Sequence, residues 1–336
     1  MRKIERVQKA LRGEAVDRIP YSIWTHFPIV DLDAAGLAKS TMALYREYDL
    51  DFVKSMPNGM FSIEDYDCGC DFSEVPKGGV AKATKLAVTD PSDWEKLSDL
   101  DIESGALGRE LKSLNLILDE IRGEAPVIAT VFSPLTTALK LSGPNLMAHI
   151  LTDPEKVKAG LEILTSTTRR FAEKAIEMGC AGIFLASQMA QRGKMSESEY
   201  REFGLPYDLR VLEAVKAKSW FNIMHIHGDG ILFDLLKDYP VQGLSWHVWE
   251  TAPTVGEFVV ADTGKCLVGG LRRFKITEGE LPEIAKDISE TIRQTGGRRL
   301  FLAPGCEIRA PYNAAAFEFI KRAIHETASN LREELI

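Results

Sequence analysis

Eight short apolar runs, each followed by a longer stretch of helical period, constrain the fold of this chain more than any other feature. The runs are IPYSIW (19–24), FVKSM (52–56), PVIATVF (126–132), AGIFLAS (181–187), FNIMHIHG (221–228), GLSWH (243–247), CLVGGL (266–271) and LFLAPGC (300–306). They are mostly β-branched or aromatic and too short for helices, so they read as buried strands. Helices are expected between them over 39–50, 103–123, 154–178, 195–218, 230–238, 252–261 and 278–294, and a last one over 313–333. Strands separated by helices pair in parallel through crossovers, and eight of them suit a closed (β/α)8 TIM barrel. The competing open, doubly wound sheet would favour a glycine-rich phosphate turn after an early strand. Neither LSGPNL nor VGGLRR has that spacing.

Residues 57–102 break the rhythm with turn residues and short alternating stretches, and read as an inserted hairpin or lid. No repeat, low-complexity tract or linker divides the rest, so one barrel domain over 1–336 is expected. The net charge of −8 argues against a nucleic-acid partner, which would need a basic face. The start, MRKIERVQKALRG, lacks the apolar core of a signal peptide, and no run approaches the roughly 18 residues of a membrane helix. Five cysteines, an odd number without a secretion signal, suit reduced thiols. A soluble cytoplasmic protein is expected. Barrels of this size often pair, so a homodimer is allowed for.

The stretch FNIMHIHGDG (221–230) is where chemistry first shows. Side chains alternate along a strand, so Phe221, Ile223, His225 and His227 share one face and Asn222, Met224 and Ile226 the other. Two apolar residues giving way to two histidines describe a packed barrel interior that turns polar at its mouth, where barrel enzymes place their reactive groups. Imidazoles two residues apart on one face can share an ion. Cys306, leaving the last strand after Ala303-Pro304-Gly305, is the best third donor. Two histidines and a thiolate suit catalytic zinc, which keeps one position open. A single strand-end histidine is more often a hydrogen-bonded structural residue; the metal reading rests on the three together.

Other residues near strand ends admit both a functional and a packing role. His247 and Glu250, in SWHVWET, can supply an extra ligand, a hydrogen-bonding partner for a ligand or a general base, or can sit idle beside Trp246. Asp229 is placed to orient one of the histidines. Arg272 and Arg273 after the seventh run can clamp a carboxylate or phosphate, or can be a surface pair. Ser187 and Gln188 after the fourth run are candidates for substrate hydrogen bonds. Tyr21, Trp24 and Phe27 can line an apolar cavity or simply pack. Cys68 and Cys70 have no second pair and are read as incidental thiols.

Several stretches carry a family resemblance: RVQKALRGEAVDRIPYSIW, DPEKVKAGLEILT, AGIFLASQ, YREFGLPYDLRVLEAVK and APGCEI. They resemble the uroporphyrinogen decarboxylase superfamily from end to end, which implies a (β/α)8 barrel. True decarboxylases of that kind carry arginines after the first strand to hold the acidic tetrapyrrole. Here the corresponding stretch is IWTHFPIV, where Thr25 and His26 would meet the substrate instead. The chain is more similar to the zinc-dependent methylcobamide:thiol methyltransferases, which have His-x-Cys at one strand end and a cysteine near the C-terminus. By position His225 and Cys306 match, while His227 stands where the middle cysteine would be. One thiolate in place of two leaves the ion about one charge more positive, a stronger Lewis acid that favours methyl removal from a donor.

The resemblance therefore implies zinc bound by His225, His227 and Cys306, with His247, Asp229 and Glu250 as acid–base candidates. Arg272, Arg273, Ser187, Gln188 and His26 stand as substrate-side residues. The reaction implied is methyl transfer between a small methylated compound or thiol and a corrinoid carried by a separate protein. A metal-free decarboxylase or lyase, a zinc hydrolase and a noncatalytic corrinoid-binding relative are the rival readings.

Overall fold

The structure, a computed structural model, describes residues 1–333. In chain order its strands are β1 (Val53–Lys54), β2 (Gly69–Asp71), β3 (Lys82–Lys85), β4 (Val127–Phe132), β5 (Gly182–Ser187), β6 (Ile223–Ile226), β7 (Gly243–Trp246), β8 (Cys266–Leu271) and β9 (Leu300–Pro304). Seven of them form one sheet in the order β1-β4-β5-β6-β7-β8-β9, every neighbouring pair parallel. That ordering, with helices in the crossovers, is the parallel barrel expected from the eight apolar runs.

The first run, 19–24, forms no ladder of its own yet closes the ring. On one side Ser22 N–H donates to Leu302 O (3.1 Å) and Leu302 N–H to Pro20 O (3.0 Å). On the other, Asp51 N–H donates to Tyr21 O (2.9 Å) and the Ser22 hydroxyl to Phe52 O (2.8 Å). Pro20 has no N–H to give, and Ser22 and Thr25 spend their hydroxyls on backbone oxygens, so regular pairing fails there. A buried carboxylate reinforces the seam. Asp51 accepts from Arg6 (2.7 Å), from Arg18 and from Tyr21 N–H (2.9 Å), tying the N-terminal helix Lys3–Arg12 to the first run and to β1.

Alternation along the strands sorts the core into two layers. Phe52, Phe184, Ala186, Phe221, Ile223, Val268, Phe301 and Ala303 fill the barrel interior. Ile183, Leu185, Met224, Ile226, Leu244, Leu267 and Leu300 face the surrounding helices. Val7 and Ala10 join the interior group, so the N-terminal helix plugs the floor, and the Cys266 thiol donates to Ala10 O (3.4 Å).

Two helices, Pro134–Ser142 and Asn145–Thr152, occupy a stretch where the sequence predicted none. The first begins at Ser133, whose hydroxyl accepts from Thr136 N–H (3.2 Å). The helix expected over 195–218 is two helices, Glu197–Phe203 and Leu205–Val215. Pro206 lacks an N–H and starts a new helix better than it continues one. Within 57–102, β2 and β3 pair as an antiparallel hairpin. Among the described residues no helix is long and apolar enough to cross a membrane.

Candidate functional site

Phe221 just before β6 and Ile223 and His225 within it share the inward face, and His227 follows just beyond the strand. Gly228, at φ +101°, then turns the chain away, and a Cβ there would lie 2.2 Å from the Gln191 side chain. His247 follows β7 and Cys306 follows β9. Because parallel strands all deliver their C-terminal ends to one rim, these four residues converge: one donor atom of each lies within 4.8 Å of all the others. Gly305 makes the close approach. Its position for a Cβ is 3.0 Å from His247 Cα and 3.0 Å from Trp246 O, tighter than ordinary contact, so glycine lets the Cys306 segment come near without displacing that backbone.

Hydrogen bonds set the imidazole orientations. His225 Nδ1 meets Ser245 Oγ at 3.2 Å, which leaves Nε2, a buried atom with no hydrogen-bond partner. His227 Nδ1 lies 3.3 Å from His247 Nε2 and 3.4 Å from Cys306 Sγ. His247 Nδ1 has Glu250 at 3.5 Å. Burial, aided by the neighbouring imidazoles, holds His225 well below the usual histidine range and brings His227 to about 4. Both rings are thus neutral with lone pairs free. Burial pushes the Cys306 thiol up, and the carboxylate of Glu307, which it contacts, adds to that.

An unpartnered buried imidazole nitrogen beside two more nitrogens and a sulfur is costly unless something binds there. Three nitrogens and one soft sulfur, from closely spaced side chains, suit zinc. The residues present therefore fit the metal, and His247, which the sequence offered as an extra ligand, a partner or a base, lies among them as a fourth donor.

The cluster opens into a cavity of about 330 Å³ lined by Trp24, Phe132, Phe184 and Met56, by Phe72 and Val80 of the hairpin region, and by several polar groups. His26 and Gln188 line it. Arg273 sits beside it, its guanidinium 3.7 Å from Glu307. Three sequence expectations are corrected. The Ser187 side chain points outward, where its hydroxyl meets the Tyr200 hydroxyl at 2.8 Å, since alternation gives the inward positions to Ala186 and Gln188. Arg272 is held by Asp287 (2.7 Å) and Glu283 (2.8 Å) on the helix side, because adjacent residues at a strand end point opposite ways. Asp229 caps its own turn, accepting from Gly230 N–H at 2.7 Å, and lies exposed rather than against a histidine.

Sequence reasoning also passed over three groups. Lys54 and Lys140 line the cavity, and burial lowers each to about 8. Burial alone would raise Glu307, but His26, the Cys306 thiol, His227 and Arg273 outweigh it and hold the carboxylate at about 2. Lys54 was legible as a lone charge on the inward face of FVKSM. Lys140 lies in one of the helices the sequence did not reveal.

A parallel barrel carrying a histidine–cysteine cluster at the C-terminal rim of its strands is an enzyme-type architecture. The chain belongs to the uroporphyrinogen decarboxylase (URO-D) family, whose model matches residues 2–327. It is similar to the methylcobamide:CoM methyltransferase MtbA of Methanosarcina acetivorans, 22% identical over 318 residues that span 90% of this chain and 92% of the relative. It is also similar to a uroporphyrinogen decarboxylase of Corynebacterium efficiens, 27% identical over 224 residues, 63% of this chain and 59% of that one. Among solved structures, a methyltransferase from Methanosarcina mazei superposes with a TM-score of 0.83 at 21% identity, covering 97% of this chain and 99% of that one.

Proposed function

We propose that this protein is a methyltransferase that moves a methyl group between a small methylated compound or thiol and a corrinoid held by a separate protein. Its metal is a single zinc held by His225, His227 and Cys306, with His247 as a fourth donor that would give way so that one position can open to the substrate. The observation that carries the reading is the convergence of those four donors at the barrel mouth. The support beside it is the match, over nine-tenths of the chain, to a protein named a methylcobamide:CoM methyltransferase.

Zinc at such a site supplies Lewis acidity, which lowers the pKa of a bound thiol or polarises the atom carrying the methyl group. The chain's own residues do the rest. Ser245 holds His225 Nδ1, so that Nε2 turns to the cluster, and Glu250 stands at His247 Nδ1 and fixes that ring's tautomer. Glu307 is placed to take the Cys306 proton when a metal displaces it. The aromatic wall of Trp24, Phe132 and Phe184 keeps bulk water from the reacting end.

Metal analysis of purified protein beside His227→Ala and Cys306→Ala tests the reading. About one zinc per chain in the wild type, lost in both variants, is the expected result, followed by methylation or demethylation of a corrinoid protein seen in its visible spectrum. A wild type without stoichiometric metal would bring the metal-free decarboxylase or lyase reading to the front.

A further inference from the structure

Lys54, buried, and Lys140, half-buried, stand in the wall of the cavity without an acid to match them. Lys54 is 7% exposed, projects from β1 onto the inward face and lies 4.5 Å from the centroid of the Phe184 ring. Its nearest polar contacts are the Met56 sulfur at 2.9 Å and Ser55 O at 3.5 Å. Lys140 reaches in from the helix Pro134–Ser142, 3.9 Å from the Phe132 ring centroid, with Gly59 O as its hydrogen-bond acceptor. Among the described residues, neither ammonium has a carboxylate within ion-pair distance.

The acids that face this space are already engaged with other partners. Glu307 contacts the Cys306 thiol and faces Arg273. Asp31 lies 3.8 Å from His26, and burial raises it to about 6. Lys54, Lys140 and Arg309 thus outnumber Glu307 and Asp31 on the lining. A buried ammonium on an apolar wall is expensive to keep, and here it costs most when the cavity is empty of charge. Both lysines rest against aromatic faces, which tolerate a cation while leaving its N–H donors free for a ligand.

We infer that Lys54 and Lys140 together bind the oxyanion head of the substrate, which is a small amphiphile with an apolar body. The apolar walls of Trp24, Met56, Phe132 and Phe184 hold that body, and its far end meets the histidine–cysteine cluster. The inference rests on the functional reading above for what happens at that far end. The lysines themselves select the ligand by charge, whatever the reaction.

Matched probes test it on the metal-loaded protein: benzoate, phenyl phosphate and neutral benzamide, titrated calorimetrically into wild type, Lys54→Met and Lys140→Met. Methionine keeps the length and apolar stem of lysine, and melting temperatures check that each variant is folded. Wild type is expected to bind at least one of the two anions about tenfold more tightly than benzamide, and each variant to approach parity. The benzoate-to-phosphate ratio then identifies the head group.

Parity in wild type would overturn the inference. So would an anion preference that persists in both variants, since the anion would then sit on the metal or on Arg309. Zinc content measured on the same samples separates the two readings. Full zinc with parity removes this inference alone, whereas a lysine-dependent preference without zinc removes the functional reading alone.

Discussion

Replacing Gly305 by alanine probes the cluster without touching a donor. The new Cβ would sit 3.0 Å from His247 Cα and 3.0 Å from Trp246 O, both backbone atoms that no rotamer change can move. Carbon contacts are comfortable at about 3.5–4.0 Å, so the Cys306 and His247 segments must give by a few tenths of an ångström. Metal sites tolerate about 0.2 Å in ligand distances. A disturbance of this kind commonly weakens metal binding by about 10–100-fold, while overpacking costs about 1–3 kcal/mol of stability. Competition of the apoprotein with a chromophoric chelator should therefore show zinc affinity reduced by about that factor in Gly305→Ala. A Gly193→Ala control, whose Cβ would meet nothing within 4 Å, should bind as wild type does. A folded Gly305→Ala protein with wild-type zinc affinity would refute the claim that this close approach sets the donor spacing.

Other expected outcomes follow from the same structure. Asp51→Ala removes the buried carboxylate that Arg6 and Arg18 share and leaves them only Asp17 and Asp49, so it should destabilise the fold by about 1–3 kcal/mol, read as a clear fall in melting temperature with zinc binding preserved. Arg272→Gln breaks the pairs to Asp287 and Glu283 and should lower stability while leaving turnover and metal content unchanged; a large loss of turnover would return Arg272 to the substrate side. Burial raises the Asp208 carboxyl to about 7, against the donated hydroxyls of Tyr200 and Tyr239 that pull it down. A raised acid holds its proton more firmly in the fold than in the unfolded chain, where it titrates near 4. Its contribution is therefore complete below about pH 4 and is lost as pH rises toward 7, by about 4 kcal/mol at most. Asp208→Asn should flatten that slope in urea titrations run from pH 4 to 8; an unchanged slope would show that other groups set it.

The barrel was largely legible in the sequence because eight buried runs leave few ways to hide their backbone groups. What the runs did not reveal was how ring closure is achieved, since IPYSIW closes the barrel through scattered bonds around Pro20 instead of a ladder. The helices over 134–152 were hidden for a different reason. SPLTTALKLSGPNLMAHILTD is apolar on several faces and broken by Gly143-Pro144, so no single helical stripe stands out. At the site, residues i and i+2 on one strand could be paired from alternation alone, as with His225 and His227. Cys306 as third donor and His247 as a possible extra ligand were candidates at the same mouth, but their actual reach depends on how far each strand runs past the rim, which spacing does not encode. Arg272 and Ser187 show the same limit: a one-residue difference decides whether a side chain faces the cavity or the helices.

The plugged floor and the spread of the donors over three strand ends bear on how the protein would come to hold an ion. Two donors lie at 225 and 227, a third at 247 and the fourth at 306, so the set spans three different strand ends. The set cannot be complete until β9, the last strand of the sheet, has joined the barrel. An ion must then enter a finished fold through the single open end, past the hairpin, rather than organise the chain as it emerges. The empty scaffold has to stand by itself, held by its aliphatic layers and the Asp51 seam. Loading becomes a question of access and supply in the cell, separable from folding, so chelation should strip the protein of activity long before it strips it of shape.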